Sequence, residues 1–456
     1  MYIEQLYTNC LAEAAYYIES EGEAAIIDPL RETTPYLDIA SARKSTIKYI
    51  FETHFHADFV SGHLDLSKKT GAQIIYGPQA DTAYDIYNAR DGEKFRLGKI
   101  TIEAIHTPGH TPESTCYLLY DEAGRPHAIF TGDTVFVGDV GRPDLLDGVM
   151  SKEELAGMLY DSINQKIKPL PDDLLMYPAH GPGSACGKNI GKETFSTLGE
   201  QKQANYAFQD MSKEAFIKKV TENMLPPPKY FFDDARINKE GYESLDDVIE
   251  ATKQPLSLEK FKAYINDGAI ILDTRVPDDF EKGFIPNSIN IGLNGQYAVW
   301  VGTLLEMNRP LILVTEPGKE EESITRLARV GFENIKGYLS GSIVAWDEPL
   351  DTINSIHPDE IKSHSDTHII DVRKPGEFAN GHVKGAQLVT LSGMPGNLQE
   401  LDRDQPYLIH CAGGYRSMIA ASIMKANGFN APINIYGGFD KMKETGLALE
   451  EEVAAT

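Results

Sequence analysis

The sequence predicts a multi-domain α/β protein, with one larger N-terminal α/β domain followed by two copies of a smaller one. Three observations carry this. The chain has 456 residues, long for one domain and suited to roughly three. Its first half alternates short β-branched or aromatic runs with helical stretches, each run ended by Gly, Pro or a polar turn. Beyond it, "ILDTRVPDDFEKGFIPNSINI" (271–291) is echoed by "IIDVRKPGEFANGHVKGAQLV" (369–389). Asp273 pairs with Asp371, Arg275 with Arg373, Phe280 with Phe378 and Gly283 with Gly381, each 98 positions apart (371 − 273). That period is too long for a solenoid, so it marks two copies of one small domain.

Taken in order, "AAYYIES" and "EAAIIDP" predict a hairpin with Gly22 in its turn. "IKYIFETH" is an apolar strand that runs straight into "THFHADF". "AQIIYG", "ITIEAIHTPGH", "STCYLLY", "HAIFTGD" and "LLMYPAH" follow as further strands. Four of these runs end on His54, His110, Asp133 and His180, which places polar chemistry on loops at strand ends. The proline cluster "LPPPKYFF" (225–232) and the acidic stretch after it are expected to be the tail of the first domain and a linker. The expected domains are 1–250, 255–352 and 357–456.

Composition excludes several classes. With 43 basic and 68 acidic residues the formal charge is −25, which repels nucleic acid and anionic membranes. No apolar run reaches the ~18 residues of a membrane span, and the N-terminus has neither a basic nor an apolar signal region. Cys10, Cys116, Cys186 and Cys411 are widely spaced, which argues against a disulfide framework and for a reducing, cytoplasmic setting. Homo-oligomerisation is left open.

The chemistry lies in a set of motifs: "THFHAD", "HTPGHTPES", "FTGDTVF" and "YPAHG", in that order. Each alone is a modest signal, whereas four in sequence order point to one divalent-metal site. In this order they resemble the metallo-β-lactamase superfamily, which implies an αββα sandwich with a metal at one edge. Dinuclear glyoxalase-II-like hydrolases keep a histidine where this chain has Phe59, and a phenyl ring offers no lone pair. The resemblance extends to the persulfide dioxygenases, through "GDVGRPDL" (138–145) as well. It implies one Fe(II) per chain, with zinc an alternative occupant, on His54, His110 and Asp133. This is a two-histidine, one-carboxylate set suited to O2 chemistry. His56, Asp58 and His180 are then expected to support these ligands, and Arg142 to meet an anionic thiol substrate. "AHGPGSACGK" lacks the tyrosine of glutathione-specific members, so the carrier thiol stays open. Cys186 in that stretch is either a sulfur relay or a buried, inert thiol.

"PYLIHCAGGYRS" (406–417) is a strand, a Gly-rich loop and the start of a helix. Such a loop turns backbone N–H groups onto an anion and favours a thiolate. Four residues, Ala412, Gly413, Gly414 and Tyr415, separate Cys411 from Arg416. Cysteine phosphatases use five, and the shorter ring resembles the rhodanese family, whose cysteine carries a persulfide sulfur. The first copy has Thr315 or Glu316 in place of Cys411, and no cysteine between 187 and 410, so it is expected to be inactive. The combined expectation is oxidation of a low-molecular-weight persulfide by O2 to sulfite, with Cys411 passing sulfur to sulfite to give thiosulfate. The alternative is a zinc-dependent thioester hydrolase of the glyoxalase-II kind with rhodanese appendages.

Overall fold

A computed structural model describes residues 1–146, 149–364 and 367–451. The first sheet follows chain order: β1 (Tyr2–Thr8), β2 (Glu13–Ser20), β3 (Glu23–Ile27), β4 (Thr46–Phe51), β5 (Gln73–Tyr76) and β6 (Tyr87–Asn88). The expected hairpin is β2–β3, and Glu21 and Gly22 both take positive φ, 53° and 78°. Two left-handed residues in a row match the right-handed strand twist, so the turn closes tightly. The second sheet also follows chain order: β7 (Lys94–Leu97), β8 (Ile100–His106), β9 (Thr115–Tyr120), β10 (Pro126–Gly132), β11 (Leu175–Pro178) and β12 (Ser196–Thr197).

Strand period two explains how the layers meet. In β2, Ala14, Tyr16 and Ile18 join Phe51, Tyr117 and Phe130 in the core between the sheets, while Ala15 and Tyr17 face the helices that carry Tyr36, Ala40 and Leu66. Leu118, Ile129 and Met176 pack outward from the second sheet onto Leu159 and Phe216 of helices Lys152–Ser162 and Lys213–Thr221. The result is the expected αββα sandwich. Burying one large apolar side chain contributes roughly 1.5–3 kcal/mol, so this aromatic wedge outweighs the surface ion pairs around it.

Sheet direction then collects the chemistry. β3 and β4 run parallel, as do β10 and β11, and β8 has the same sense as β10 because both are antiparallel to β9. Asp28, Glu52–His54, His110, Asp133 and His180 all follow C-terminal strand ends, so within each sheet they gather at one edge. One expectation is corrected here. Residues after the proline cluster are not a linker: Tyr230–Glu240 is a helix, and its buried Asn238 binds the histidine loop.

From Ile249 on, apart from Leu327–Gly331, the chain forms a second compact unit. It holds two five-stranded parallel sheets of identical order. The first is β13 (Pro255–Leu256), β17 (Ile335–Leu339), β16 (Leu311–Val314), β14 (Ile270–Asp273), β15 (Ile289–Asn290). The second is β18 (Asn354–Ile356), β23 (Ala431–Ile435), β22 (Pro406–His410), β19 (His368–Asp371), β21 (Gln387–Leu388), and beside it β20 (His382–Val383) pairs with β24 (Leu449–Glu450). The repeated Asp, Arg and Gly form the same buried latch in both copies. Arg275 grips Asp273 (Nη2–Oδ2 2.6 Å) and the Gly283 carbonyl (2.9 Å), and Arg373 grips Asp371 (2.6 Å) and the Gly381 carbonyl (2.7 Å). The repeat motif is therefore structural. Residues 452–456, at the end of the expected third domain, lie outside the described residues.

Candidate metal centre

The loop Glu52–Gly62 is buried almost throughout because neighbours satisfy its polar groups. Asp28, at the end of β3, accepts the Thr53 N–H (2.7 Å) and the Thr53 hydroxyl proton (2.8 Å). That hydroxyl has no second proton, so at 3.0 Å it must accept from His54 Nδ1. His54 Nε2 is thereby left with a free lone pair. His110 is set in the same way: its Nδ1 lies 2.8 Å from the Arg142 carbonyl, which can only accept, and its Nε2 is free. Asp133 faces both, with Oδ2 3.9 Å from His54 Nε2 and 3.4 Å from His110 Nε2.

These three residues offer donor atoms within 4.8 Å of one another. All are buried, and neither imidazole Nε2 nor either Asp133 oxygen has a hydrogen-bond partner among the described residues. Unpaired buried polar atoms are costly unless a ligand completes them. The donor set fits a divalent ion. Burial, reinforced by the adjacent imidazoles, holds the His54 pKa well below the usual histidine range, so its ring is neutral and able to donate. Close packing brings the loops together. A Cβ at Gly132 would lie 2.6 Å from the Thr53 side chain, and one at Gly141 would lie 2.1 Å from the Asp133 carbonyl oxygen.

His56, Asp58 and His180 form a second buried group of donors within 4.8 Å of one another. His180 Nδ1 donates to the Ala12 carbonyl at 3.2 Å, and its Nε2 stands 3.4 Å from Asp58 and 3.5 Å from Asp133. Burial alone would lower the His180 pKa, but these two carboxylates override it and raise it well above the usual value. Phe59 is fully buried against His56, ring centroids 4.3 Å apart, and gives this group no donor. Cys186 also reaches the site, grouped with Asp133 and His180. Burial first, then the Asp58 and Asp133 carboxylates, push its thiol up to about 12, which keeps it protonated.

The sequence reading missed three supports. Asp28 approaches His56 Nε2 at 3.0 Å, and Glu52 at 3.5 Å. Asn238 donates to the His56 and Phe59 carbonyls, both at 2.8 Å, and accepts the Ser61 N–H at 2.9 Å. Acidic residues ending apolar runs ("IIDP", "YIFET") were the available signal, since a buried carboxylate needs a partner. Asn238 carried none.

Arg142 requires a correction. Its guanidinium does not face an open site: it binds Asp144 with two bonds (2.7 and 2.8 Å), the Ala185 carbonyl (3.1 Å) and the Leu225 carbonyl (2.7 Å). Four of its five N–H groups are occupied inside the protein. Its link to the centre is the backbone carbonyl on His110. Arg142→Ala is therefore expected to cost about 2–4 kcal/mol of stability, somewhat below the ~3–5 kcal/mol of a fully buried broken pair because Asp144 is partly exposed, measured by urea unfolding. Parental stability with a raised KM for an anionic persulfide would return the side chain to substrate binding.

In the second unit, Cys411 follows β22 and is buried at the head of helix Tyr415–Ala426. The Gly414 N–H donates to its Sγ at 3.0 Å, and Arg416 closes the loop with two 2.7 Å bonds to Glu377. Thr274 N–H binds the Val314 carbonyl as Val372 N–H binds that of His410, so the first copy's counterpart of Cys411 is Thr315 rather than Glu316.

Residues 8–180 match the model of the metallo-beta-lactamase superfamily, and residues 257–349 and 357–445 each match the rhodanese-like domain. Human mitochondrial persulfide dioxygenase ETHE1 is 32% identical over 209 residues, covering 45% of this chain and 74% of that protein. The chain belongs to the metallo-beta-lactamase superfamily. Its superfamily domain is followed in the same chain by the two rhodanese-like domains. A probable hydroxyacylglutathione hydrolase of Schizosaccharomyces pombe is 33% identical over 165 residues, 36% of this chain and 60% of that one. The crystal structure of a Staphylococcus aureus metallo-beta-lactamase matches with TM-score 0.68 and 32% identity, over 74% of this chain and 99% of that one. The persulfide dioxygenase relative and the two rhodanese-like domains support an enzyme of sulfur metabolism. No helix among the described residues is long and apolar enough to cross a membrane.

Proposed function

We propose that the metallo-beta-lactamase domain oxidises a low-molecular-weight persulfide, and that the last domain transfers sulfur through Cys411. One persulfide anion, one O2 and one water give the free thiol, sulfite and one proton. The Cys411 thiolate takes the outer sulfur of a second persulfide, releasing that molecule's thiol, and passes the sulfur to sulfite, giving thiosulfate and restoring the thiolate. The observation that carries the reading is the trio His54, His110 and Asp133, whose donor atoms converge unpaired and buried. Fe(II) held by these residues would supply open coordination positions for O2 and for the persulfide sulfur. The chain does the rest. Thr53 and the Arg142 carbonyl fix which imidazole nitrogen is presented, Asp28 fixes Thr53, and the buried loop around Phe59 keeps bulk water out. The proposed domains are 1–250, 255–352 and 357–456.

O2 consumption by the iron-loaded protein, measured with a panel of persulfides, tests this. No uptake with any of them would refute it.

The group His56, Asp58 and His180 favours a second reading, a two-zinc thioester hydrolase like the hydroxyacylglutathione hydrolase relatives. Metal content after anaerobic purification separates the two. We expect one ion per chain, because Phe59 leaves the second group without an added imidazole. Phe59→His is expected to raise this toward two and to lower O2 turnover, since a second cation would compete for Asp133. One ion and parental turnover in that variant would remove Phe59 as the determinant.

A further inference from the structure

We infer that the cysteine-less rhodanese copy is the positioning surface for the Cys411 loop, with Gly295 as a seat for the Tyr415 ring. The inference rests on the reading of Cys411 as the sulfur carrier. Both copies lie in one compact unit.

The Ser417 hydroxyl lies 2.9 Å from the Gly414 carbonyl, but little side-chain packing supports the two glycines of the loop. Gly413 has nothing within 4 Å of where a Cβ would stand, and Gly414 sits at φ 107° with only a backbone nitrogen at 3.7 Å. Its shape is therefore set by its anchors. On one side the Phe439 and Asp440 N–H groups bind the Cys411 and Ala412 carbonyls at 2.7 and 3.0 Å. On the other, Arg416 binds Glu377. A further anchor is Tyr415, between Gly414 and Arg416, and it is held by the other copy.

The Tyr415 hydroxyl donates to the Gly292 carbonyl at 2.7 Å. Its ring lies against Gly295 so closely that a Cβ there would stand 2.4 Å from Cζ and 2.7 Å from both Cε atoms. Only glycine allows that approach. The seat is itself braced, because Arg326 donates to the Leu293 carbonyl (2.6 Å) and the Gly295 carbonyl (2.9 Å). About two turns further along the Tyr415–Ala426 helix, Ser422 Oγ accepts the Asn290 N–H at 3.0 Å, and both residues are buried. The first copy thus grips the helix that carries the loop at two points. Gly414 must aim its N–H at Sγ, so a shift of Tyr415 is passed directly to the sulfur.

The test is a double-mutant cycle on Gly295→Ala and Tyr415→Ala, read as thiosulfate-to-cyanide sulfur transfer by the full chain. A methyl at Gly295 must push the ring back by about 1 Å to restore contact distance. A displacement of that size is expected to lower kcat ~10-fold or more, with a smaller change in KM for thiosulfate. In the Tyr415→Ala background, Gly295→Ala should add little, because the atom it strikes is gone. Tyr415→Phe, which loses only the hydroxyl, provides a milder probe, with a kcat loss of roughly 3-fold and only a small drop in thermal stability. Alkylation of Cys411 by iodoacetamide, followed against pH, should shift in Gly295→Ala and not in a surface control. Parental kcat in folded Gly295→Ala, or an additive cycle, would overturn the seat while leaving the carrier reading intact. Transfer that survives Cys411→Ser would overturn the carrier reading, and the seat with it.

Discussion

Cys411→Ser is expected to stop thiosulfate formation while O2 uptake continues and sulfite accumulates. Cys411 is the only cysteine between residues 187 and 456, so no neighbour can take over the sulfur. Serine would still face the Gly414 N–H that lies 3.0 Å from the wild-type Sγ, but its hydroxyl stays protonated near neutral pH and cannot hold a sulfane sulfur. Transfer should fall by at least about a thousandfold, the scale on which removal of a nucleophile acts. Oxygen uptake should stay at the parental level, since no cysteine of the second unit belongs to the donor groups of the metal centre. O2, sulfite and thiosulfate, measured together, decide this. Arrest of O2 consumption would mean that the two sites are not independent.

His54→Ala is expected to do the reverse. Two groups hold the wild-type imidazole for donation: Thr53 takes its Nδ1 proton, and Asp28 fixes Thr53. Alanine removes the donor and leaves Asp133 and His110 as an incomplete pair, so metal content and O2 uptake should both collapse. Loss of an outer partner already costs ~10–100-fold in metal affinity, so loss of a direct donor should exceed 100-fold. Sulfur transfer from thiosulfate to cyanide should persist, because the Cys411 loop is anchored entirely within the second unit. A variant that keeps its metal and its O2 uptake would remove His54 from the ligand set and end the iron reading in its present form.

Much of this was legible in the sequence, for reasons that differ from residue to residue. His54, His110, Asp133 and His180 stood out because each ends an apolar run, and strand ends are where a sheet places exposed polar groups. The copies stood out because the same Asp-x-Arg and following Gly recur, and the structure gives the cause in two equal buried latches. Cys411 stood out because its spacing to Arg416 limits the size of the ring that can form. Asn238 was invisible. Nothing local distinguishes it from other helical asparagines, and its partners lie about 180 residues earlier in the chain.

The sequence by itself determined the inventory: which donor types exist, how many domains the chain can build, and which copy can carry sulfur. Only the tertiary structure decided how that inventory is used. It chose the donating nitrogen of His54 and His110, because a tautomer follows from the partner of the other nitrogen, and the partner of His110 is a carbonyl 32 positions away. It turned Arg142 inward, because three acceptors packed around its guanidinium outcompete an open cleft. It gathered His56, Asp58 and His180 into one group, and set Tyr415 on Gly295. In each case a charged or polar group finds its partner through long-range packing, and the cost of leaving it unpaired in a buried site makes that partner unique.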